Sequence, residues 1–107
     1  MENSIESGYL YIISNPAFPE YLKIGITENI KDRLNTYQTS SPHRNYQVEY
    51  YILHPKYKVA EKKIKEMMHY FSTDSIQKGE WFRISLPIAI TRLQESLDDY
   101  NENPSKY

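Results

Sequence analysis

The chain has 107 residues, 39% hydrophobic and 14% aromatic, which gives room for one domain with one core and excludes global disorder. It contains no cysteine, which excludes disulfides and thiolate metal sites, and no apolar run nears the roughly 20 residues of a membrane-spanning helix. The net charge of −1 conceals an asymmetry: residues 23–65 hold nine basic and four acidic side chains, and the remainder four and ten. A localised positive stretch suits phosphate binding, because each neutralised phosphate releases condensed counterions. With a polar start, Met1-Glu2-Asn3-Ser4, that has no signal-peptide character, the expectation is a soluble intracellular protein, cytoplasmic or nuclear, with no membrane partner.

Gly8 to Ser14 is rich in β-formers, with Tyr9, Tyr11 and Ile13 on one face and Leu10 and Ile12 on the other, which predicts a central strand. Asn15-Pro16 and Pro19 break it before a second strand at about Tyr21 to Ile26, antiparallel to the first. Thr27 or Asn29 can cap a helix over roughly 29–38, where Ile30, Leu34 and Tyr37 recur at helical spacing. After a polar loop, a third strand runs from about Tyr46 to Leu53 with Val48, Tyr50 and Ile52 on one side, and Pro55 ends it. A helix over about 57–71 has Ala60, Ile64, Met67 or Met68, and Phe71 as its buried stripe. Ser72 to Gly79 reads as a loop, and Glu80 to Ile84 as a short strand with Trp81 and Phe82 in the core. Ser85 then caps a last helix whose stripe is Ala89, Leu93, Leu97 and Tyr100, with Pro87 tolerated in its first turn. The expected fold is α/β in the α+β sense, one domain over 1–107: a central three-stranded antiparallel sheet flanked by helices, in the order β-β-α-β-α-β-α. Its core covers about 8–100, and 101–107 form a loose tail.

Several side chains along this order suit attack on a phosphodiester. Tyr11 and Lys23 lie across the first hairpin and share a patch of sheet, and Tyr9 and Tyr37 are rival phenols for the same place. A phenol with an ordinary pKa near 10 is a poor base unless a cation favours the phenolate; Lys23, Arg33 or a bound metal are the candidates for that effect. Gly25 permits a close backbone approach or an unusual dihedral, and Arg33, eight residues on, can grip nonbridging phosphate oxygens with its planar fork. Glu61 borders the buried stripe of its helix, where it can hold Mg²⁺ or Mn²⁺ or simply pair with Lys65. Glu80 is a secondary candidate ligand, and His43, His54 and His69 have no metal-ligand spacing. Lys31, Arg44, Lys62, Lys63 and Lys65 are the candidate nucleic-acid contacts.

The same residues resemble the GIY-YIG nuclease superfamily, in its phage T-five open-reading-frame-172-like branch. Tyr9-Leu10-Tyr11 stands for the first motif and Lys23-Ile24-Gly25 for the second, Arg33 keeps the family distance from the glycine, and Glu61 matches the metal-binding glutamate. Lys23 replaces the second motif tyrosine, and Tyr37 stands where many relatives carry histidine. The resemblance implies a metal-dependent endonuclease acting on DNA, structured or branched forms included. In it Tyr11 serves as base or positioner of water, Arg33 stabilises charge, and Glu61 holds the metal. A protein partner would supply targeting, since the chain has no second domain for reading sequence. The alternative expectation is a catalytically inactive nucleic-acid-binding or protein-interaction module on the same fold.

Overall fold

The computed structural model describes residues 7–40, 45–71, 75–76 and 81–107. Its strands are β1 (Gly8–Ser14), β2 (Tyr21–Thr27), β3 (Gln47–His54), β4 (Ser75–Ile76) and β5 (Trp81–Arg83). The helices are α1 (Ile30–Ser40), α2 (Tyr57–Phe71) and α3 (Leu86–Glu102), followed by a 3₁₀ turn at Pro104–Lys106. The strands form one antiparallel sheet in the order β3-β1-β2-β5-β4. The expected three-stranded centre is β3-β1-β2; β5 and the two-residue β4, which falls within the loop expected over Ser72 to Gly79, extend it beyond β2.

Tyr9, Tyr11 and Ile13 pair with Thr27, Gly25 and Lys23 across the β1–β2 hairpin, so these six share one face. The opposite face carries Leu10, Ile12, Leu22 and Ile24, which join Ala60, Ile64 and Met68 of α2, Phe82, and Ala89 and Leu93 of α3 in the core. The apolar stripes read from helical spacing thus supply half of the core, with Met68 inward and Met67 exposed. Ile12 pairs with Tyr50 but Ile13 with Val48, so β3 bulges at Glu49. The bulge sends Val48 to the Tyr11 face while Tyr50 and Ile52 remain against the core, correcting the single-sided pattern expected for the three. Gln38 and Tyr46 exchange side-chain–backbone hydrogen bonds at 3.2 and 3.3 Å, tying the end of α1 to the start of β3.

Asn29, not Thr27, caps α1: its Oδ1 accepts from the Asp32 N–H at 3.0 Å. Ser85 occupies the N-cap position of α3 but makes no side-chain capping bond. The chain end is a second correction. Beyond α3 the Tyr107 hydroxyl donates to Asp99 Oδ2 at 3.0 Å, and its ring lies 5.5 Å from His54 and 5.6 Å from Tyr100. Residues 101–102 continue α3, and an aromatic side chain with a carboxylate in reach docks 103–107 on it, so the expected loose tail is instead ordered against the helix. Among the described residues no helix is long and apolar enough to cross a membrane.

His54 is fully enclosed, and the Lys56 N–H donates to its Nδ1 at 2.9 Å, which puts the ring hydrogen on Nε2, facing the Ser96 carbonyl at 3.4 Å. Burial pulls its pKa below the ordinary 6.5, against a smaller upward pull from the Ser96 carbonyl. The unfolded chain therefore takes up this proton more readily than the folded one. The associated stability is complete above the unfolded value and is lost as pH falls below it toward the folded pKa. The urea midpoint is expected to drop between about pH 6.5 and 5.5, before the carboxylates titrate, and to drop less in His54→Gln. A midpoint flat over that window would refute this.

Candidate active site

Tyr11 is the centre of the second face. It is only 3% exposed, and its ring lies across Gly25, its cross-strand partner. A Cβ at Gly25 would stand 2.6 Å from Tyr11 Cζ and nearer still to the hydroxyl. Gly25 has no left-handed φ, so of the two uses expected for it the close approach is the operative one. The Tyr11 and Tyr37 hydroxyls lie 2.9 Å apart in a hydrogen bond, which docks α1 on this face.

Lys23 Nζ sits 4.8 Å from the centre of the Tyr37 ring and 6.0 Å from that of Trp81. The Tyr46 ring packs against both aromatics, at 5.2 and 6.3 Å. Tyr37 is thus held from three directions: by the Tyr11 hydroxyl, by the Lys23 ammonium and by Tyr46. Neither the role of Tyr46 nor the outward contribution of Trp81 was read from the sequence; the only signal for them is the density of aromatic residues.

Arg33 and Glu61 bear on the same phenol through charge, from two other elements. Arg33 is exposed, one turn into α1, with its backbone N–H bonded to the Asn29 carbonyl at 3.1 Å. Glu61 comes from the first turns of α2, four residues after Tyr57, whose buried ring packs against Gly8 at the start of β1. Both side chains act on the Tyr11 phenol, the guanidinium lowering its pKa and the carboxylate raising it. The larger influences are burial and then the Tyr37 hydrogen bond, which together push the phenol well above its ordinary 10. The sequence reading expected nearby cations to lower this value; desolvation of a nearly enclosed ring outweighs them.

The described part of β5 pairs with β2 only at Tyr21 to Lys23. Beside the remaining part of β2 runs an open groove of about 580 Å³, lined by Thr27, Glu28, Asp32, Arg33, Tyr57 and Lys58 among others. Glu61 forms the i,i+4 ion pair with Lys65 at 3.1 Å that was its alternative role. Among the described residues no three His, Cys, Asp or Glu side chains converge.

The other expected residues scatter. Tyr9 is on the correct face but its ring meets Tyr51 edge-on at 5.6 Å, away from the Tyr11–Tyr37 pair. Lys31 is exposed on α1 and lines a groove with Tyr9 and Tyr51. Lys62, Lys63 and Lys65 do not form one patch: Lys65 pairs with Glu61, whereas Lys63 Nζ stands 4.7 Å from the centre of the Tyr107 ring on the α3 side. At about 100° per residue Lys63 turns away from Lys65, whereas Lys62, three positions before Lys65, shares its side of the helix. Arg44, Glu80 and His43 lie outside the described residues, as does the side chain of His69.

A protein-family model described as the T5orf172 domain matches residues 8–101, a span containing every member of the Tyr11 group. No curated protein and no solved structure matches the chain. The chain belongs to the T5orf172 domain family, a nuclease-associated family.

Proposed function

We propose that the protein is a metal-dependent endonuclease of the GIY-YIG type, hydrolysing phosphodiester bonds in DNA. The observation that carries this reading is that Arg33 of α1 and Glu61 of α2 both act electrostatically on the enclosed Tyr11 phenol of β1, whose ring lies across Gly25. Packing explains Tyr11 and Tyr37, but it does not require a guanidinium and a carboxylate from separate helices within electrostatic reach of one phenol.

In this reading Arg33 binds two nonbridging oxygens of the scissile phosphate through its planar fork and stabilises the charge that accumulates there. The tyrosine pair orients the attacking water. Because burial and the Tyr37 hydrogen bond raise the Tyr11 phenol further above its ordinary value near 10, its part is to hold Tyr37 and water in place rather than to act as a ready-made phenolate. Lys23 keeps the Tyr37 ring fixed by lying against it. The donor set fits Mg²⁺ or Mn²⁺ bound through one carboxylate, Glu61, with phosphate and water oxygens as further ligands. A helix i,i+4 ion pair such as Glu61–Lys65, here half-buried, is typically worth about 0.3–0.5 kcal/mol, which does not prevent that exchange. When bound, the ion supplies Lewis-acid stabilisation of the leaving oxygen.

The test is cleavage of supercoiled plasmid and of branched DNA with Mg²⁺, Mn²⁺ or EDTA, with Arg33→Ala and Glu61→Ala beside the wild type. Metal-dependent nicking that disappears in both variants is the expected result. Undiminished cleavage by Glu61→Ala would remove the metal role. The near-complete enclosure of Tyr11 favours a second reading, a non-cleaving module that binds nucleic acid. That reading would take over if no substrate were cut while a gel shift appeared and faded with rising salt.

A further inference from the structure

We propose that the groove beside Tyr51 receives one unpaired base of the nucleic acid, stacked on the Tyr51 ring. The substrate would then be a strand that is unpaired next to its scissile phosphate, as in a single strand, a bulge or a branch point. This rests on the nuclease reading and names its substrate class.

Tyr51 is 55% exposed although it lies in the middle of a strand, and Leu53, also on that face, is 53% exposed. The edge-on contact with Tyr9, at 77° between the rings, braces Tyr51, so an incoming ring meets a pre-positioned surface. Tyr51 is the cross-strand partner of Tyr11, on the same face of the sheet. The groove at this place has a volume of about 410 Å³ and is lined by Tyr9, Tyr51, Glu28, Asn29, Ile30 and Lys31.

The charges favour a base over a phosphate as occupant. Glu28 and Lys31 offset each other, so the groove presents little net attraction to an anion while its aromatic wall suits an uncharged ring. Lys31 is left to meet the phosphate that flanks such a base. Glu28 and Asn29 line this groove and also the one containing Arg33, so the two are neighbours at the start of α1. A strand held at Arg33 by one phosphate can therefore place a neighbouring base at Tyr51. Bases within a duplex are already stacked and paired, which excludes them from this seat without prior opening. Stacking on an aromatic side chain tolerates any base, because every base has a π-face.

The experiment uses the full chain in EDTA, with a thymidine oligonucleotide and a duplex of equal length. Tyr51→Trp places an indole at the seat, and the native Trp81, 2% exposed, supplies the unresponsive control. Indole quenching by the single strand at lower concentration than by duplex is expected, with no response in wild type. Tyr51→Ala should weaken single-strand binding about 5- to 100-fold, and Tyr51→Phe should retain it. Equal single-strand affinity in wild type and Tyr51→Ala, with plasmid cleavage intact, would overturn the stacking seat and leave the nuclease reading standing. Wild-type dimerisation that Tyr51→Ala abolishes, without loss of oligonucleotide binding, would assign this face to a second copy and overturn it too. If wild type neither binds an oligonucleotide nor cleaves, both readings fall together.

Discussion

Replacing Arg33 by lysine is expected to lower the single-turnover rate of DNA cleavage by about 10²- to 10³-fold, the range for loss of one pre-positioned donor to a charged transition state. The substitution keeps a positive charge at an exposed helical position, and lysine and arginine have nearly equal helix propensity. Folding stability should therefore change by no more than about 0.5 kcal/mol. What the variant loses is the fixed pair of N–H donors that matches two phosphate oxygens, which a single ammonium cannot reproduce. The guanidinium of Arg33 also lowers the pKa of the Tyr11 phenol, against the larger upward effect of burial. Cleavage rates and urea midpoints measured on one preparation separate the two effects. A wild-type rate in Arg33→Lys would mean that only long-range charge matters. A lost rate together with a lowered midpoint would make Arg33 a structural residue.

The parts of this site that follow from chain order were legible before any coordinates. β1 is apolar on both faces, with Leu10 and Ile12 on one and Tyr11 and Ile13 on the other, the pattern of a strand inside a sheet covered on both sides, and it lies between β2 and β3. Gly25 marks a close approach, and Arg33 follows it at a distance that a capped helix fixes, with Asn29 as the cap. What was not legible depends on desolvation and on local irregularity. No spacing rule tells that Tyr11 is enclosed, and its desolvation outweighs the downward effect of the nearby Arg33 charge on its phenol. The extra residue at Glu49 reverses the side on which Val48 falls, and a one-residue bulge leaves no mark in an alternation pattern. The Lys62-Lys63 pair followed by Lys65 looks like a patch in a linear string, and only the helix turns Lys63 toward Tyr107.

Gly25→Ala is expected to disable the site from within. The added methyl would stand 2.6 Å from Tyr11 Cζ, inside van der Waals contact, and the ring is too enclosed to swing aside freely. Overpacking of this kind costs about 1–3 kcal/mol. The ring can yield only by breaking the 2.9 Å contact with Tyr37, and a displacement of about 1 Å at such a centre lowers rates about 10²-fold. In a Tyr11→Ala background the obstacle is gone. There the change from glycine to alanine within a strand should instead stabilise by about 0.5–1 kcal/mol, because the unfolded chain loses backbone freedom. The sign of the Gly25→Ala effect should therefore reverse between the two backgrounds, a coupling read directly from a double-mutant cycle. If Gly25→Ala cost the same with and without the Tyr11 ring, the glycine would serve the backbone instead, and the cradle between β1 and β2 would not be what positions Tyr11 and Tyr37.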